Sequence, residues 1–209
     1  MKILKISLII IAVATAVLGL TTCSLIKSAA AAIENLQRLQ FKLENVNGFK
    51  VSGIKLSDKS SVSSFSVSDG LKLLGDFNNK RLPAEFVLNV AAKNPNDGTG
   101  GYEKTTATLS ALDWQLYIDD VPTIMGGIDK PLEIPGTGQS TIIPLRMSID
   151  LWSFFKDRGY DKVIGLALAI GGVSGNTSKL KLDAKPTVNT KFGPINYPGR
   201  ITIIDKQFN

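Results

Sequence analysis

Catalysis and metal binding draw mostly on histidine, cysteine and clustered carboxylates. The 209 residues hold no histidine and one cysteine, Cys23. Without an imidazole, Ser-His-Asp and Cys-His catalysis, zinc ligation by histidine and the usual proton shuttle near neutral pH are excluded. Carboxylates remain, since paired acids hydrolyse glycosides and oxygen-rich sets hold calcium. The neighbours Asp119 and Asp120 would point to opposite faces of a strand, so they could not easily act on one atom, and a solvated loop is their expected place. Asn96 and Asp97 could lend oxygens to a cation, yet no spaced set of further ligands surrounds them and a turn accounts for both. Two glycine-rich runs are also turns. Gly136-Thr-Gly138-Gln-Ser-Thr lacks the third glycine and following helix of a dinucleotide fingerprint, and Gly171 to Lys179 lacks the Gly-Lys-Ser/Thr ending of a phosphate loop. No catalytic residue, cofactor site or metal site is expected, and the chain is expected not to be an enzyme.

The remaining reactive group is the thiol of Cys23, and its surroundings suggest its use. Lys2 and Lys5 give a positive start, and Ile6 to Leu20 form an apolar stretch broken only by Ser7, Thr15 and Gly19. The 17 residues between Lys5 and Cys23 are at the lower limit for a helix that crosses about 30 Å of hydrocarbon at about 1.5 Å per residue. Residues 1–22 therefore read as a cleaved export signal. Leu20-Thr21-Thr22-Cys23 resembles the lipobox of bacterial lipoproteins, with threonine where glycine, alanine or serine is commoner. The resemblance implies that Cys23 becomes the lipidated N-terminus; a thiolate can take up a diacylglyceryl group as a thioether, and each buried methylene then contributes about 0.8 kcal/mol to membrane anchoring. An ordinary signal peptide or an uncleaved anchor with an incidental cysteine is the alternative. Ser24, where an aspartate would favour retention, implies the outer membrane, facing the periplasm.

The elements downstream must come from the apolar pattern. With 44% hydrophobic and 20% charged residues the chain is of the folded class, and the 187 residues left after residue 22 suit one domain, over 38–209, with a tether and short helix over 23–37. Ser28 precedes an alanine run with Ile33 and Leu36 three apart, which predicts the helix. Leu39, Phe41 and Leu43 then alternate with polar residues, as in a half-buried strand. Asn47-Gly48 predicts a tight turn before a second strand, Phe49 to Leu56. Phe65 and Val67 suggest a third, and Leu71, Leu74 and Phe77 a helical turn or two over Asp69 to Phe77. Pro83 opens a strand whose Phe86, Leu88, Val90 and Ala92 face one way, and which is expected to be central and largely buried on both faces. It stops at Asn94-Pro95-Asn96-Asp97-Gly98. Strands are further predicted over Thr105 to Leu112, Trp114 to Ile118, around Ile124, over Leu132 to Ile134, Thr141 to Ile149, Lys179 to Ala184 and Ile195 to Ile204. Asp150 can cap a helix in which Leu151, Phe154 and Phe155 share a face. Asp161 can cap a second over Lys162 to Ile170, stopped by Gly171-Gly172. Many short strands with an insertion of helices near 150–172 predict a β-sandwich or barrel closed at one end.

Three stretches in order carry a second resemblance: Phe86-Val-Leu-Asn-Val-Ala-Ala-Lys running to Asn94-Pro95-Asn96, then Leu116-Tyr-Ile-Asp-Asp-Val-Pro-Thr-Ile-Met-Gly-Gly, then Leu132-Glu-Ile-Pro-Gly-Thr-Gly-Gln-Ser-Thr-Ile-Ile-Pro-Leu. Together they are similar to the type-2 late embryogenesis abundant family, whose unit is also called the water stress and hypersensitive response domain. The likeness covers about residues 45 to 205, and the helical insertion is longer than in plant members. It implies a fibronectin type III-like, immunoglobulin-like β-sandwich, no catalytic residues, and a non-enzymatic protein protective in desiccation or envelope stress. An envelope adapter, or a carrier of lipid or peptide, is the alternative. Without Lys2 and Lys5 the 24 basic residues fall to 22 against 18 acidic, scattered and without interleaved aromatics, so nucleic acid is not an expected partner. The expected partners are the membrane, through Cys23, and an unidentified envelope protein or lipid.

Overall fold

Period-2 alternation dominates the chain, and in the computed structural model it becomes ten antiparallel strands among the described residues. The structure describes residue 27 and residues 30–56, 59, 62–173, 178–190 and 193–208. The export signal over 1–22, Cys23 and the Ser28 cap lie outside the described residues. A short helix α1 covers residues 30–37. Strands β1 (Gln40–Val51), β2 (Ile54–Lys55), β3 (Pro83–Lys93) and β7 (Ser140–Asp150) form one sheet in the order β2-β1-β3-β7. The second sheet runs β10 (Ile201–Phe208), β8 (Ser178–Thr190), β4 (Ala107–Ile118), β5 (Val121–Gly126). Strand β6 (Leu132–Ile134) pairs with β4, and β9 (Gly193–Asn196) with β8.

Each sheet turns one row of side chains inward. In β8, Ser178, Leu180, Leu182, Ala184, Pro186 and Val188 are buried while Lys179, Lys181, Asp183 and Lys185 are half-exposed. Leu88 and Val90 of β3, Ile143 and Leu145 of β7, and Leu112 and Leu116 of β4 join the same buried cluster, so the expected β-sandwich is what forms. Burying each such leucine fully contributes about 1.5–3 kcal/mol. The other face of β3 is only half-covered at Val87 and Asn89, so this central strand is buried on one face more than on two.

Helices α2 (Val67–Asn78), α3 (Leu151–Phe155) and α4 (Tyr160–Ile170) gather at the pole where β3 begins. The link is concrete at Asp150: its carboxylate accepts from Trp152 N at 3.1 Å, capping α3, and from Leu82 N at 2.7 Å, just before β3. The rings of Phe77 in α2 and Tyr160 in α4 meet edge to face with centroids 5.4 Å apart. Leu151 and Phe155 are buried, but Phe154, expected on their face, is 39% exposed.

Further expectations need correction. Asn47-Gly48 is not a hairpin turn. Gly48 adopts a left-handed φ of 63° inside β1, where the register against β3 shifts, so the pair makes a bulge and the strand continues. The chain reverses instead at Ser52-Gly53, both left-handed at φ 50° and 79°, which closes Val51 against Ile54. Phe65 and Val67 do not form a strand. Ser66 is the N-cap of α2, its hydroxyl accepting from Asp69 N while the Asp69 carboxylate accepts from Ser66 N, and this reciprocal cap overrides the short alternation. Asp161 is not a cap. Gly159, at φ 77°, precedes Tyr160, and Asp161 lies in the first turn of α4, where its charge suits the helix dipole. Last, Ile195 to Ile204 is two strands, β9 and β10, which pair in succession with residues 187–190 and 178–184 along one edge of β8 and are parted by the bend at Pro198-Gly199.

The cap yields a pH prediction. Hydrogen bonds from the Ser66 backbone, then its hydroxyl, then Lys59 hold the Asp69 carboxyl below its usual range. A carboxyl depressed in the folded state stabilises above its unfolded value and loses that contribution as pH falls through the lower folded one. Exchange protection of the amides at 67–70 should therefore fall as the solution is acidified through the carboxylate range. The Asp69→Asn variant should start lower at neutral pH and lose this dependence. Matching pH profiles for the two proteins would sink the assignment.

Candidate functional site

Polar side chains converge at the pole where β3 ends. Pro95 has no N–H to continue the ladder, and the side chain before it turns inward. The fully buried amide of Asn94 donates to Thr105 O at 2.8 Å and Ile134 O at 3.0 Å, and its oxygen accepts from Asn96 N at 3.1 Å. Asn96, also buried, donates from Nδ2 to Asn35 O of α1 at 3.2 Å, while its carbonyl accepts from Thr105 N at 3.0 Å. Gly136 lies against this corner: a Cβ there would overlap the carbonyl oxygens of Asn96 and Thr105. One corner thus ties β3 of the first sheet to the start of β4 and the end of β6 in the second, and to α1.

The loop after the corner folds over α1. Asp97 accepts from the Thr99 hydroxyl at 2.7 Å and the Thr99 N at 3.0 Å, and the hydroxyl first and the amide second hold its carboxyl below the usual range. The Tyr102 hydroxyl donates to Glu34 at 3.2 Å, and the Arg38 guanidinium lies 3.3 Å from the centroid of the Tyr102 ring. Between α1 and the ends of β4 and β8 remains an open cleft of about 790 Å³, walled by Glu34, Asn35, Asn96, Tyr102, Thr106 and Asn189 among others. These amides, hydroxyls and carboxylates can hydrogen-bond. The Asn96 Oδ1 is buried without a partner behind that wall.

Asp119 and Asp120 sit at the opposite pole and do separate things. They are the two left-handed residues, φ 48° and 64°, of the turn joining β4 to β5. The solvated loop expected for both holds for Asp120, which is exposed and 3.6 Å from the Lys179 amine. Asp119 is instead a structural tie. Its carboxylate accepts from Arg158 at 2.7 Å and Lys179 N at 3.0 Å, and its own N–H donates to Lys179 O. The pairing with Arg158 had no sequence signal; the turn did, in two residues tolerant of positive φ after an alternating strand.

Asn96 is tied to α1 through Nδ2 and Asp97 to Thr99 through one carboxylate oxygen, so both serve the corner and the loop that follows it. Among the described residues no group of three His, Cys, Asp or Glu side chains could hold a metal ion. Gly136 to Gly138 lie in the turn between β6 and β7, as expected. The run from Gly171 falls partly outside the described residues. Trp114 is buried with no partner for its N–H, and Gly126 across from it has no room for a Cβ against the indole ring.

No family model matches the chain, and no curated protein matches it significantly. Solved structures with a similar arrangement include a protein from Archaeoglobus fulgidus, at 12% identity and a TM-score of 0.38, covering 80% of this chain and 96% of that one. A candidate late embryogenesis abundant protein is 15% identical with a TM-score of 0.37, covering 88% and 87% of the two chains. A protein of Arabidopsis thaliana is 13% identical with a TM-score of 0.33, covering 62% and 70%.

The corner predicts an order of costs. Asn94→Ala strands two carbonyl oxygens and one amide in the interior and should cost about 3 kcal/mol or more in urea unfolding, at about 1–3 kcal/mol for each buried group left unpaired. Asn96→Ala removes one bond to α1 together with an unpartnered oxygen and should cost clearly less. Equal and small losses would show that the corner does not tie the sheets.

Proposed function

We propose that the protein is a non-catalytic, membrane-anchored lipoprotein of the cell envelope, whose sandwich is a late embryogenesis abundant type-2-like unit protective in desiccation or envelope stress. One observation carries the reading. The three ordered stretches that resemble that family become β3 with its corner, the β4–β5 hairpin, and β6 through β7, and the first and third are joined through Asn94, Ile134 and Gly136. The motif residues therefore do structural work together, as a shared fold would require.

The side chains best suited to chemistry support the same reading. Asp119, Asp150 and the two asparagines of the corner are occupied with turns, caps and strand ends. Stable folding without catalysis suits a protein that shields membrane or protein surfaces when water is withdrawn. The anchor rests on Leu20-Thr21-Thr22-Cys23. It fixes where such shielding would act.

The test has two readouts. In a bacterial host with a similar envelope, the wild type should begin at an acylated Cys23 by intact mass and fractionate with membrane. Cys23→Ala should lose the acyl mass and the fractionation. Survival of the envelope through drying and rewetting should fall when the protein is removed and recover only with the anchored form. Survival unaffected by removing the protein would overturn the protective role, and an unmodified Cys23 would overturn the anchor.

A further inference from the structure

Helix α2 holds apolar side chains that nothing in the described chain covers. Val67, Leu71 and Leu74 follow one another at four and three residues, so they line one face. They are 82%, 66% and 42% exposed, whereas Leu73 on the inner face is buried. A surface helix ordinarily turns its apolar stripe to the core. This one has a second stripe facing water.

Both acids of α2 are engaged by lysines, whereas cations just past the helix are not engaged by acids among the described residues. Asp69 is 3.2 Å from the Lys59 amine and Asp76 is 3.5 Å from that of Lys72, so both acids of α2 are paired. Lys80 and Arg81, directly past the helix, are exposed and have no acidic partner among the described residues. Ser52 N donates to Pro83 O at 2.7 Å, which brings the β1–β2 hairpin beside the chain leaving α2 and adds the exposed Lys55. Lys55 stands opposite Lys50 across the hairpin, and Lys50 in turn stands opposite the exposed Glu85 of β3.

We propose that the outward face of α2 contacts an anionic lipid surface, with Val67, Leu71 and Leu74 inserted to headgroup depth and Lys55, Lys80 and Arg81 set among the anionic headgroups. An apolar face rimmed by cations is the pattern of helices that lie in the interfacial plane of a bilayer. Three side chains offer far less than the roughly 800 Å² per partner of a specific protein interface, so a second copy is the poorer fit. A bilayer needs no matching shape.

Position adds a geometric consequence. Helix α1 sits where β3 ends and α2 where β3 begins, so about 36 Å separates them at about 3.3 Å for each of the 11 residues of β3. If both poles meet one bilayer, the sandwich lies on its side. The contact at α2 rests on its own residues and does not require the anchor at Cys23, although a tether would raise its effective concentration to the order of millimolar.

The experiment places a polarity-sensitive fluorophore on Ser68→Cys, beside Leu71, in the full chain mixed with vesicles of phosphatidylcholine alone or with phosphatidylglycerol. Protein carrying only Cys23 gives the baseline. Brominated lipids should quench the Ser68 label when phosphatidylglycerol is present, and high salt should reverse this. Leu71→Asp, or Lys80→Glu with Arg81→Glu, should reduce quenching several-fold with an unchanged melting temperature, because these side chains are exposed. Absent quenching, quenching indifferent to those variants, or a signal that follows protein concentration instead of lipid would overturn the proposal. Vesicle flotation reads the anchor separately. A chain that floats with an unquenched label keeps the anchor and loses this contact; Cys23→Ala with a quenched label keeps the contact alone.

Discussion

The amide of Asn94 cannot be left unpaired in the interior, and much of the molecule is arranged so that it is not. A buried amide without partners costs on the order of several kcal/mol, so Thr105 O, Ile134 O and Asn96 N must all arrive at one place. Those three come from the loop before β4, the end of β6 and the corner itself. Fixing them fixes how the second sheet begins relative to the end of β3. Two neighbours make the meeting sterically feasible: Pro95 stops the ladder, and Gly136 lets backbone approach backbone without a side chain between. From there the alternation of β3, β4 and β8 carries the register to the far pole, where a one-residue slip would turn the buried leucines outward.

The far pole uses carboxylates in place of amides. Asp119 and Asp150 each gather backbone donors from segments distant in sequence, 60 and 68 residues away. Both are only partly buried, so water remains available and a charge there is tolerable where a charge at Asn94 would not be. That difference explains the choice of side chain at each pole. The free edges are guarded by a different device. Pro144 in β7 and Pro122 in β5 lie on strands that pair on one side only, and a residue without N–H there blunts the addition of another strand.

How far the sequence reveals this depends on the range of the interaction concerned. The strands are legible because alternation is local, but β4 is one strand where the pattern suggests two, Thr105 to Leu112 and Trp114 to Ile118, and β8 runs on to Thr190 past the expected end at Ala184. The breaks at Pro83 and Asn94-Pro95 were legible for the same reason. Asn47-Gly48 misled, since its turn preference is real but the partner strand β3 runs past it and absorbs the extra residue as a bulge. Phe65 to Val67 misled because two alternating residues weigh less than a reciprocal cap at Ser66 and Asp69. The site was less legible than the fold. Asn96 and Asp97 could be recognised as a turn, but the bond from Asn96 to α1 joins residues 61 apart and leaves no periodic trace. Arg158 with Asp119 and Arg38 with Tyr102 are of the same kind.

The clamp on α1 bears on how any anchor would act. Tyr102 bonds Glu34 and underlies Arg38, while Asn96 holds the backbone at Asn35, so the helix is fixed at three successive points to the sandwich. Against a bilayer, a body of about 36 Å along β3 could stand on the pole of α1 or lie along the surface, and the second arrangement alone would bring the uncovered side chains of α2 out of water. Burying apolar area favours it, the loss of orientational freedom opposes it, and the unpaired cations at Lys80 and Arg81 add attraction where the lipid is anionic. For a sandwich held at a bilayer, the balance would therefore turn on the charge of that membrane.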